Sequence, residues 1–214
     1  MKLKIKIPTE LKDIKLSQFQ KFLKTTKDVE DAEFVNRQLV GIFCNLTDEQ
    51  VKSILAKDFD DIVKTVSDTV NKSCDLVPTF KLDGVEYGFI PKIEDITVGE
   101  KVDIDSNIND WQNLHKVISV CYRPINYKHK DTYLIDDYTG EEKPLDVTLD
   151  VAIGCMVFFY NLTKDLVSYI PNFLEEEAVR NPKVSQILAK NGLGIKTFTQ
   201  SLEGIFSNLM PLQR

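Results

Sequence analysis

A chain of 214 residues can build one substantial core, or two small ones, without disulfide or metal staples. Its 43% hydrophobic and 28% charged residues are ordinary for a soluble globular protein. A net charge of −6 argues against a general nucleic-acid binder, which favours a basic surface.

The charge is unevenly placed. Residues 1–24 carry seven Lys against Glu10 and Asp13, a local +5 that leaves −11 for the rest. Nucleic-acid contact is therefore open only through this basic segment; the plainer expectation is the solvated face of a first helix. Lys2-Leu3-Lys4-Ile5-Lys6-Ile7 alternates strictly, which predicts an N-terminal strand ended by Pro8. Capping boxes then predict three helix starts, at Ser17 with Gln20, Thr47 with Gln50, and Thr97 with Glu100. Residues 29–44 space Phe34, Leu39, Val40 and Phe43 along one helical face, and the same period continues through Val66.

Asp83-Gly84 sits between alternating apolar positions in residues 79–90, the preferred pair for a two-residue hairpin turn. Residues 111–122 form an amphipathic helix that ends before Pro124. Residues 126–144 are polar, tyrosine-bearing and mostly acidic, and predict a loop or an irregular hairpin. A central buried helix is expected near residues 146–170, apolar nearly all round in its middle, and a last amphipathic helix over 195–209. The fold class expected is α+β, mostly helical, with the N-terminal strand and the hairpin near 79–90. It forms a single domain or two tightly packed halves, 1–75 and 76–214, with the candidate boundary near 73–79.

Cys44, Cys74, Cys121 and Cys155 are widely separated and form no CxxC, and two histidines cannot complete a zinc spacing. The chain is expected to be reduced and cytosolic, without a secretory signal. The longest charge-free stretch of the central helix, Val151 to Thr163, has thirteen residues, short of the roughly 20 a membrane span needs.

No P-loop, GxSxG or HExxH is present, and Gly192-Leu193-Gly194 suits a helix C-cap better than a dinucleotide fingerprint. Asp103, Asp105 and Asp110 could hold a divalent cation, which keeps a small metal-dependent enzyme as a third reading; a solvated acidic face is the simpler one. His115 and His129 lack a positioned partner, and Glu175-Glu176-Glu177 suits a surface at a helix end. The expectation is a non-enzymatic chain with no cofactor and no metal. Aromatic residues in connecting regions, some beside Arg, instead suggest protein contacts, with Tyr122, Arg123, Tyr127, Tyr133 and Tyr138 as candidate interface residues.

Tyr87-Gly88-Phe89-Ile90-Pro91, Glu94 through Glu100, and Trp111-Gln112-Asn113-Leu114-His115-Lys116 follow one another along the middle of the chain. With Tyr122-Arg123-Pro124-Ile125, Pro144-Leu145-Asp146-Val147 and Val157 through Leu162, they cover roughly residues 79–165. This stretch resembles a family of proteins encoded by tailed bacteriophages, including marine and crAss-like phages. The resemblance implies a virion or virion-assembly protein, made in the host cytoplasm and carried in the particle. Its partners would be other phage structural proteins or copies of itself. A structural component of the neck, tail or internal cargo is one form; an assembly chaperone absent from the mature particle is the alternative.

Overall fold

The computed structural model describes residues 4–130, 132–140, 145–162 and Lys164. The chain divides into two units, Met1–Cys155 and Met156–Arg214. The division falls at residue 155 and not near 73–79, where Gly154 lies against the backbone of Asp75 and Leu76. Unit one is α+β, with helices leading into a four-stranded antiparallel sheet made of two hairpins joined through two further helices. In the second, residues 156–162 are helical; the expected helix at 195–209, Gly192-Leu193-Gly194 and Glu175-Glu176-Glu177 lie outside the described residues.

The expected N-terminal strand does not form over residues 4–9. Alternation favours extended backbone, but a strand needs a neighbour to pair with. Pro8 and Thr9 instead lie at the end of a helix, where Pro8 O accepts from Thr69 Oγ1 at 3.3 Å and Thr9 O from Lys72 Nζ at 2.7 Å.

Helix α1 (Leu16–Thr26) buries Leu16, Phe19 and Phe22. It begins one residue before Ser17, so the expected capping box is displaced: Gln18 Oε1 accepts from the Lys15 amide at 2.9 Å. A distant residue completes the cap, because the Ser17 amide donates to Asp146 Oδ1 at 3.1 Å. The same segment binds further through Leu16 N to Val147 O at 2.9 Å and Leu149 N to Ile14 O at 2.8 Å. Residues 145–149 thereby become a clasp across the start of α1.

Helices α2 (Ala32–Phe43), α3 (Asp48–Lys52) and α4 (Ala56–Val70) follow. Asp31 caps α2 by accepting from the Glu33 and Phe34 amides, and the Thr47–Gln50 box caps α3 as its spacing predicts. Phe22 and Phe43 pack with ring centroids 5.4 Å apart, joining α1 to α2.

Strands β1 (Thr79–Leu82) and β2 (Val85–Phe89) form the expected hairpin, with φ of 50° at Asp83 and 82° at Gly84. Both turn positions need positive φ, which Asp tolerates and Gly adopts freely. Helix α5 (Val98–Asn107) starts at the Thr97–Glu100 box, and α6 (Leu114–Cys121) runs directly into β3 (Tyr122–His129). β4 (Thr132–Ile135) returns alongside β3, so residues 122–135 are a hairpin whose register slips between Ile125 and Tyr127. Strand order is β1-β2-β3-β4. Helical backbone resumes at residue 149, with Val151, Ala152, Gly154 and Cys155 buried. The innermost side chains of the first unit include Ile14, Phe22, Val66, Leu114, Ile118, Tyr122 and Leu149.

Candidate docking surface on the sheet

Register decides which side chains share a face, because residues directly opposite in an antiparallel pair project to the same side. Phe80 faces Tyr87, Leu82 faces Val85, and Phe89 faces Tyr122. Beyond the bulge Tyr127 faces Leu134 on this same side, since Lys128 and Tyr133 occupy the other. On that opposite side Lys128 pairs with Glu86 at 2.5 Å, and a Cβ at Gly88 would overlap the Tyr133 ring.

The five candidate interface residues separate sharply. Tyr122 is only 1% exposed, with its ring 5.2 Å from both Phe80 and Phe89 and its hydroxyl donating to Val77 O at 2.9 Å. Burial drives its phenol far above the ordinary range, and the neutral form donates. It is a core residue, not an interface residue.

Arg123 turns to the other face and meets Glu100, itself 3% exposed, with Nη1 to Oε1 at 2.6 Å. Burial alone would raise the Glu100 carboxyl. Hydrogen bonds from the Thr97 hydroxyl and amide, together with Arg123, outweigh burial and hold it below its ordinary value. Arg123 therefore joins α5 to β3 instead of reaching outward.

Tyr133 is half-buried over Gly88, its hydroxyl donating to Phe89 O at 2.9 Å and Pro78 O at 3.2 Å. Burial raises its phenol too. Tyr138 is half-buried and its hydroxyl rests on the Asp103 carboxylate. Tyr127 alone of the five is mostly exposed, at 57%.

Around Tyr127 the structure gathers residues that periodicity did not single out. Leu134 is 60% exposed and Val85 is 41% exposed, on the same face and towards the two turns. Away from this face, on α5, which Glu100 ties to Arg123, Val98 and Val102 are exposed at 81% and 55%. One signal for Leu134 was available in the sequence: Thr132–Ile135 is an uncharged run flanked by charge on both sides.

The three aspartates considered for a cation are each engaged separately. Asp103 holds Tyr138, Asp105 pairs with Lys101, and Asp110 caps residues 111–113 by accepting from Gln112 N at 2.9 Å. Among the described residues no three His, Cys, Asp or Glu side chains converge as metal ligands. His115 is half-buried on α6 and His129 is exposed at the end of β3.

All four cysteines are free thiols. Burial pushes Cys44 and Cys74 up to about 11, and Cys121 rises well above its ordinary value through burial and then its neighbour Cys155. Thiols held protonated in this way are poor nucleophiles. Among the described residues no helix is long and apolar enough to cross a membrane. Compared with known proteins, the chain matches no family model, no curated protein and no solved structure.

Proposed function

We propose that this chain is a non-enzymatic structural protein of a tailed-phage particle, in its neck, tail or internal cargo, working through protein–protein contacts. The observation that carries the docking part is the exposed apolar group Tyr127, Leu134 and Val85 on one face of the sheet. A lone exposed apolar residue is ordinary, but several on one face mark a surface that another molecule covers. The phage assignment rests on the resemblance over residues 79–165.

Quantitative mass spectrometry of gradient-purified particles beside infected-cell lysate tests this reading. A fixed copy number in the particle is the expected result. Abundance in lysate with none in particles overturns it in favour of an assembly chaperone that leaves before maturation.

A further inference from the structure

Three of the four cysteines gather where the helix that resumes at residue 149 meets the rest of the first unit, and they are not equivalent. Cys74 spends its thiol on Asp150 O at 3.3 Å. Cys121 and Cys155 turn to each other: both are 0% exposed, both are free, and their thiols meet in a hydrogen bond. Cys44 stands at the C-terminal end of α2.

Backbone contacts brace both members of the pair. Cys121 closes α6, and its carbonyl accepts from Ile90 N at 2.9 Å. Beside Cys155, Gly154 lies so close to the 75–76 backbone that a Cβ there would come within 2.5 Å of Asp75 O. Val151 and Ala152 are buried one turn earlier. Two thiols held in contact on braced backbone can close a disulfide with little movement.

We propose that Cys121 and Cys155 are a disulfide-forming pair, reduced as the chain is made and joined when it meets a small-molecule disulfide such as oxidised glutathione. In the first exchange one cysteine attacks the oxidant's S–S bond and displaces one thiol, leaving a mixed disulfide. Its partner then attacks the mixed disulfide, forms the Cys121–Cys155 bond and releases the second thiol. Two protein thiols are oxidised, one small disulfide is reduced, and both protons leave with the released sulfurs. Burial keeps the pair protonated, so oxidation waits for transient opening, and the same burial then shields the bond. The ring so closed contains β3, β4 and the 145–149 clasp, and ties the clasp covalently to the end of α6. Neither the docking face nor particle content enters this chemistry.

Refolding the full chain from urea with oxidised glutathione removes accessibility as a limit. Alkylation with N-ethylmaleimide under denaturing conditions should then label two of the four cysteines, against all four after refolding with reductant. Peptide mapping should find the Cys121–Cys155 linkage, and the urea midpoint should be higher for the oxidised chain. A Cys44→Ala, Cys74→Ala double variant keeps the pair and should lose both remaining labels on oxidation. Four labels after oxidative refolding of the wild-type chain overturn the proposal. So does a linkage through Cys44 or Cys74, or glutathione left attached to Cys121 or Cys155. A lower or unchanged urea midpoint also overturns it, since closure would then displace the packing it is meant to lock.

Discussion

Tyr122 and Tyr127 stand on one strand and one face, separated by a bulge, and have opposite surroundings. Tyr122 lies among Phe80 and Phe89 and spends its hydroxyl on Val77 O; Tyr127 is 57% exposed. The inner end of the sheet is thus part of the core, while its turn end carries apolar side chains that the described residues leave open. The same residue type does two jobs because β3 leaves the core along its own length. Truncation should break the contrast most strongly. Tyr122→Ala removes a buried ring and should cost about 4 kcal/mol in urea unfolding. Tyr127→Ala should change stability by no more than about 0.5 kcal/mol. Equal losses at the two positions would show that the turn end is packed as tightly as the inner end.

The two ion pairs of the sheet repeat the contrast on its other face. Glu100–Arg123 is enclosed, with side-chain exposures of 5% and 14%, whereas Glu86–Lys128 has 32% and 42%. Glu100→Gln leaves Arg123 without its anion and should cost about 3 kcal/mol. The sign of the pH effect follows from the depressed carboxyl. Folded Glu100 binds its proton less readily than unfolded Glu100, so its contribution is present above the unfolded value near 4.5 and is lost as pH falls through the folded one. Thermal unfolding should therefore show a loss of stability below about pH 4.5 that Glu100→Gln flattens. Glu86 is lowered in the same direction by its hydrogen bond from Lys128, but solvent screens that exposed pair. Lys128→Ala should leave the acid limb nearly unchanged; an equal flattening would erase the distinction between the two ends.

What the sequence made legible were features whose cause is local. Asp83-Gly84 requires its turn wherever it stands, and Thr47–Gln50 and Thr97–Glu100 cap within their own first turns. The errors all came from distant partners. Ser17 lost the expected cap position because Asp146 reaches the start of α1 from far along the chain. Lys4 to Ile7 alternate like a strand, but among the described residues no strand is placed beside them. Tyr122-Arg123 looked like an interface pair because aromatic and Arg side chains serve cores and buried ion pairs equally well; which one applies depends on Phe80, Phe89 and Glu100. The exposure of Tyr127 was legible from its polar surroundings. Leu134 needed the strand order, which makes β4 an edge.

The smallest expected effect sharpens the comparison at the tip of the exposed hairpin. Among the described residues, positive φ is taken by Asp28, Asn45, Asp83, two glycines and Lys130. Asp and Asn relieve that conformation with a short polar side chain, whereas Lys130, at φ 54°, has no such relief. Lys130→Asn should therefore stabilise the fold, by at most about 1 kcal/mol, in urea unfolding. A loss of stability instead would show that the Lys130 side chain makes contacts there worth more than the relief of its positive φ.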